Sequence, residues 1–214
     1  MTIVHHPHEE LLAAYAAGSL DLGQHAAIAT HMAMCPGCRA WARTLERVGG
    51  AMVAEMAPAP LAQGALERTL ARLGERFAPA PAAGAAESGA PPMLPRFLRA
   101  YAFGRWRPVA PRIAIRPIRL PEASPTRVFL LKALAGARII DHNHTGFEMT
   151  CVLEGGFSHE GGSFAPGDFE FGDTSTRHEP RVDGDESCLA LIAMQGRLAF
   201  AGFRGRLIQP FIRI

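Results

Sequence analysis

Apolar positions in the first third of the chain recur at helical spacing. Leu11, Leu12 and Tyr15 predict one short amphipathic helix that ends at Gly18. Asp21 is placed to cap a second, running through His25, Ile28, His31 and Met32. Pro36 suits the first turn of a third, which continues through Trp41, Leu45, Val48 and Met52. A fourth carries Leu66, Leu70 and Leu73, with Glu67, Arg68, Arg72, Glu75 and Arg76 on its other faces. Helices this short depend on tertiary packing for most of their stability.

The pattern changes at Ala78. APAPAAGAAESGAPPMLP has too little apolar surface to form a core and reads as a flexible tether. After Pro108 the period shortens towards two. RIAIRPIRL alternates apolar and polar residues, and VFLLKAL, ARIID, FEMTCVLEG, FEFGD, CLALIAM and RLAFAGF follow as short runs between Gly, Pro, Asn and Asp. Short strands at such intervals predict a sandwich or barrel. The expected architecture is an α + β chain of two domains: a small helical bundle over 1–80, a linker over 81–95 that lets the domains move, and a β domain over 96–214.

Composition narrows the class. The 214 residues are 48% hydrophobic and 20% charged, as in ordinary globular proteins, with a net charge of +2. Seven arginines and no acid lie between Arg96 and Arg119, but before residue 80 six arginines face seven carboxylates. The helical part is therefore not a basic nucleic-acid surface, and direct nucleic-acid binding is not expected. No apolar run is long enough to cross a membrane, and no basic start leads into a signal-peptide core. The four cysteines do not form a disulfide scaffold. Two of them sit in a metal-like cluster, which suits the reducing cytoplasm.

That cluster is His31-x3-Cys35-x2-Cys38. Positions 31, 35 and 38 are four and three residues apart, so their side chains can converge on one side of a helix or helix corner. One imidazole and two thiolates are Zn2+ ligands, and a closed tetrahedral site needs a fourth. His5, His6 and His8 are the nearby surplus, and His25 points to another helix face. A redox dithiol at Cys35-Pro36-Gly37-Cys38 is the competing reading. It wants a βαβ context that this stretch lacks. A simple pair of buried thiols beside an unrelated histidine is the other alternative, and His31 four residues before Cys35, with the histidine arm upstream, argues against it.

A second constellation lies downstream: Gly136-x5-His142-x-His144-x3-Glu148-x6-Gly155, then Gly167-x5-Asp173-x-Ser175-x2-His178. His142 and His144 share one face of a strand. Glu148 and His178 can reach the same cavity from other strands. Three imidazoles and a carboxylate suit a divalent metal, expected here to be Zn2+. Cys151 falls on the opposite strand face from Glu148, and Cys188 opens an apolar run; both read as packed core thiols.

The His-x3-Cys-x2-Cys helical segment resembles the zinc-binding anti-sigma factors of bacteria. That resemblance implies an upstream histidine as fourth ligand, best matched by His6 with His5 and His8 as substitutes. It also implies an extracytoplasmic-function (ECF) type sigma factor as partner. The downstream constellation resembles the cupin fold, a double-stranded β-helix or jelly-roll barrel. Its first motif matches at each defining position. Its second carries Asp173, Ser175 and Val182 where proline, glycine and asparagine are usual. The order of the two parts resembles the ChrR-type anti-sigma factors. This implies a regulator whose cupin answers singlet oxygen or organic hydroperoxide stress. A metal-dependent cupin dioxygenase or isomerase with a helical docking or dimerisation domain is the alternative.

Overall fold

The computed structural model describes residues 2–73, 91–182 and 184–200. Four helices open the chain: α1 (Glu9–Ala16), α2 (Leu22–Met34), α3 (Pro36–Glu55) and α4 (Ala65–Leu73). Their boundaries follow the local signals. Asp21 accepts from the backbone N–H groups of Gly23 and Gln24, at 2.9 and 3.2 Å, and Gln24 returns a bond to the Asp21 N–H. This is a complete capping box. Pro36 starts α3, where its missing N–H costs nothing. Gly18 follows the end of α1 at φ +67°, a conformation that side-chain-bearing residues resist.

The short helix α5 (Arg96–Arg99) leads into eleven strands: β1 (Ala102–Phe103), β2 (Arg107–Ala110), β3 (Ile113–Arg119), β4 (Arg127–Ala133), β5 (His142–His144), β6 (Phe147–Glu154), β7 (Phe157–His159), β8 (Gly162–Phe164), β9 (Phe169–Gly172), β10 (Cys188–Gln195) and β11 (Leu198–Phe200). All pairings are antiparallel. The main sheet runs β1-β3-β4-β10-β6-β9, with β2 also paired to β3. The ribbons β11-β5 and β7-β8 form the opposing wall, tied by isolated bridges His142–His178 and Ser158–Arg181. This is the antiparallel double-sheet barrel that the strand pattern predicts. One expected strand is missing. Residues 137–141 make only the single bridge Arg138–Arg181. The histidine-bearing β5 and the ribbon β7-β8 have three-residue strands, too short for periodicity to announce.

The tether was expected to leave helices and barrel free to move, but the described contacts join them. Residues 81–90 lie outside the described residues. Of the remainder, Leu94 is buried, as is Leu98 on α5. Both sit in one apolar cluster with Ile28 of α2, Leu130 of β4, Met149 and Cys151 of β6, and Leu191 of β10. α2 therefore covers the outer face of the main sheet, while the other sheet face lines the barrel. Cys188–Met194 is buried at each position for that reason: a strand covered on both faces reads as a continuous apolar run. The approach is close because α2 presents Gly23, Ala26 and Ala27. A Cβ on Gly23 would stand 2.4 Å from the Thr126 carbonyl oxygen. Asp21 closes this seam, accepting from Ser124 Oγ at 2.8 Å and Thr126 Oγ1 at 2.7 Å.

Candidate metal centres

The first centre forms where α2 turns into α3. His31 lies in the last turn of α2, Cys35 is the corner residue, and Cys38 lies in the first turn of α3. His6 arrives from the N-terminal arm, with Nδ1 3.5 Å from Cys35 Sγ and 3.4 Å from Cys38 Sγ. One ligand-type atom from each of the four residues lies within 4.8 Å of every other. The neighbouring histidines go elsewhere. His5 packs at a tilt against Phe164, His8 meets Phe171 edge-on, and His25 stacks on Tyr15.

His31 Nδ1 donates to the Gly167 carbonyl at 2.8 Å, which fixes the tautomer and leaves Nε2 as the lone-pair nitrogen. That Nε2 is buried and has no hydrogen-bond partner. Burial pushes the His31 pKa down to about 4, keeping the ring neutral as a ligand must be. Burial and the adjacent Cys35 thiol push Cys38 up to about 12. A thiolate pair in this place needs a compensating cation. An orphaned imidazole nitrogen facing two thiols and a second imidazole fits Zn2+.

The arm that carries His6 is pinned by the barrel. Asp168 accepts from the Val4 and His5 N–H groups at 2.8 and 3.0 Å, and Phe169 N–H donates to the His5 carbonyl at 3.1 Å. Several contacts to this centre thus come from the stretch leading into β9.

The second centre lies inside the barrel. His142 and His144 project inward from β5, and His178 faces them from the loop after β9. His178 Nε2 is 3.0 Å from His142 Nε2 and 3.4 Å from His144 Nε2. Three ring nitrogens this close need an ion or a proton between them. Burial, with the other imidazoles adding to it, depresses His142 and His144 to about 4, so protons on those two rings are disfavoured. His142 Nδ1 donates to the Ile140 carbonyl at 2.8 Å, again directing Nε2 inward.

Glu148 lines the same cavity but stands outside the group of three whose ligand atoms all lie within 4.8 Å. Its burial raises the carboxyl pKa to about 7, and it accepts from Thr150 Oγ1 at 3.2 Å. Cys151 faces α2, away from this centre, and burial raises its pKa. Cys188 is buried and held up to about 12 by desolvation.

Two residues were not foreseen. Glu170 Oε1 accepts from His178 Nδ1 at 3.1 Å and from His159 Nε2 at 2.7 Å. Although burial opposes its charge, these two partners bring Glu170 down to about 2. Burial likewise opposes a charged His178, but Glu170 outweighs it and raises that pKa. Alternation held a signal for Glu170: it sits between Phe169 and Phe171, so it must face away from them. For His159 no such signal exists.

Comparison with known proteins agrees with both parts. A model of the ChrR cupin-like domain matches residues 96–197, and a zinc-finger family model matches residues 8–39. The latter span includes His31, Cys35 and Cys38, whereas His6 lies just upstream. The anti-sigma-E factor ChrR of Cereibacter sphaeroides is 37% identical over 215 residues, covering 100% of each chain. The crystal structure of Rhodobacter sphaeroides SigE in complex with the anti-sigma ChrR matches with a TM-score of 0.75 and 33% identity, covering 91% of this chain and 100% of that one. A relative this similar over its full length, with both parts in the same order, means that the chain belongs to the ChrR family of anti-sigma factors.

Proposed function

We propose that this chain is a cytoplasmic anti-sigma factor that captures an ECF-type sigma factor through its helices. Zinc on His6, His31, Cys35 and Cys38 supports that grip. The barrel, with a divalent metal, expected to be Zn2+, on His142, His144, Glu148 and His178, answers singlet oxygen or organic hydroperoxide and weakens it. In this reading residues 1–80 hold sigma and 96–214 sense. The relative is a regulator, and this chain is read the same way rather than as a cupin dioxygenase or isomerase.

One observation carries the reading. The second half of α3 and all of α4 present large apolar side chains to solvent. Val48 is 55% exposed, Met52 66%, Leu66 63% and Leu70 54%. Trp41, Val48 and Met52 follow helical spacing along α3, as do Leu66, Leu70 and Leu73 along α4, which buries nothing. Contiguous exposed apolar stripes mark a partner surface. The SigE complex of the relative is consistent with sigma as that partner.

When bound, the metal supplies a cross-link between the arm, α2 and the start of α3. The residues around it give the barrel a means of acting on that cross-link. Gly167 holds His31, Asp168 and Phe169 hold the arm bearing His6, and Glu170 holds His178. Four consecutive residues thus touch both centres. Displacing Glu170 at the barrel centre would disturb the backbone that orients the zinc ligands.

The test is co-purification of the full-length chain with an ECF sigma factor encoded in the same genome. Wild type should retain sigma. The double variant Val48→Asp/Met52→Asp should lose it while unfolding at the wild-type temperature. Full retention by that variant would rule out this surface as the sigma contact.

A further inference from the structure

The interior of the barrel holds a cavity of about 440 Å³. The buried apolar residues around it fall into two separate clusters. One gathers about Ile113 and Val182, the other about Phe129, Ile192 and Met194, and both line the cavity. Protein interiors normally close to crystal-like density. A void between two halves of a core forfeits dispersion contacts on both sides, and water within it would face mostly hydrocarbon. Cavities of this size and lining are ligand sites, and their few polar groups set orientation.

Those polar groups fall into two sets. His142, His178, Glu148 and Glu170 are the inner set, the two histidines buried and the two carboxylates half-buried. Arg112, Arg138 and Arg181 also border the cavity but are exposed, so they mark its opening to solvent. Arg138 and Arg181 are adjacent through a backbone bridge. Arg112 holds a left-handed conformation, φ 66°, in the turn between β2 and β3, an uncommon choice for a residue other than glycine. The opening is therefore cationic, the walls hydrocarbon, and the inner polar set imidazole and carboxylate. A sugar or sugar phosphate would leave its hydroxyls unpaired against these walls.

We propose that this cavity binds a single acyl chain ending in a carboxylate, a free fatty acid or an oxidised derivative of one. The hydrocarbon fills the space between the two apolar clusters, and the carboxylate meets the arginines at the opening. A chain so placed brings its interior carbons towards the histidine cluster, where an oxygenated position would differ from a saturated one. The assignment goes beyond the anti-sigma reading, because it concerns what the barrel holds and not what the helices grip.

Isothermal titration of delipidated, metal-loaded full-length protein with myristate below its micellar concentration tests it. Saturable one-to-one binding is expected, at least tenfold tighter for myristate than for its methyl ester. Arg138→Glu, an exposed change that leaves the core intact, should weaken binding at least tenfold. Ala190→Phe, which fills the cavity from β10, should abolish it in protein that still unfolds cooperatively. If Ala190→Phe does not fold, Arg138→Glu and the ester comparison still decide. Absence of saturable binding, equal affinity for the ester, or an unchanged affinity in Arg138→Glu would overturn the proposal. Sigma capture, measured on the same samples, reports separately on the anti-sigma reading.

Discussion

Single side chains at these centres act through the atoms behind them. His178 is aimed by Glu170, and removing such a partner from a metal-ligating histidine lowers metal affinity by about 10- to 100-fold. Glu170→Gln should therefore lose barrel metal at chelator concentrations that wild type withstands, while His31→Ala should lose the helical zinc and spare the barrel. Elemental analysis of the purified variants checks both. Asp21 offers a pH-dependent case away from either centre. Although partial burial opposes its charge, bonds from Thr126, Ser124 and the α2 N-terminus lower its pKa. A carboxylate depressed in the folded state stabilises above its unfolded pKa, about 3.9, and that contribution fades as pH falls through the folded value. Asp21→Asn should flatten this acid limb of a thermal-midpoint profile, and Asp21→Ala should cost about 1–2 kcal/mol near neutrality through the lost cap. Asp21 was legible as a cap because capping is local. Its second role at the seam was not, since Ser124 and Thr126 lie a hundred residues away. The candidate ligands His31, Cys35, Cys38, His142, His144 and His178 were legible because histidine and cysteine spacing is local too. Glu170 and Gly167 act through long-range contacts, which leave little trace in spacing.

At the scale of elements, the helices were read well and the strands unevenly, for related reasons. Helix ends are set by caps and breakers within a few residues, as at Gly18, Asp21 and Pro36. A three-residue strand such as β5 exists only because its neighbours pair with it. Residues 137–141 lie beside 178–182, bonded through Ala137, Ile139 and the Arg138–Arg181 bridge, but too irregularly to make a strand ladder. The placement of α2 on the sheet sets up a test whose sign runs against propensity. Gly→Ala in a helix ordinarily stabilises by about 1 kcal/mol. Gly23→Ala should instead destabilise, because its methyl would overlap the Thr126 backbone and push α2 off the sheet. Chemical denaturation measures it, and a gain in stability would show that the seam is loose. Substitution at Gly49, which has nothing within 4 Å, supplies the control expected to stabilise.

For the whole molecule, the cluster shared by α2, α5 and the main sheet makes helices and barrel one folding problem. The chain has two tryptophans, Trp41 on α3 and Trp106 just before β2. Fluorescence of Trp41→Phe and Trp106→Phe proteins should therefore report coincident unfolding midpoints, the mark of a cooperative transition. Separated midpoints would show that the seam does not bind the two parts into one unit. The hydrogen bond from His31 to the Gly167 carbonyl has a consequence that runs opposite to signalling. Equilibrium linkage is reciprocal: if the state of the barrel alters the affinity for sigma by some factor, bound sigma alters the barrel's preference among its own states by the same factor. Sigma is then an effector of the barrel. A cell rich in sigma would hold the barrel in its gripping state and blunt the response to weak stress, so the threshold for release would be set by the supply of the very protein being released.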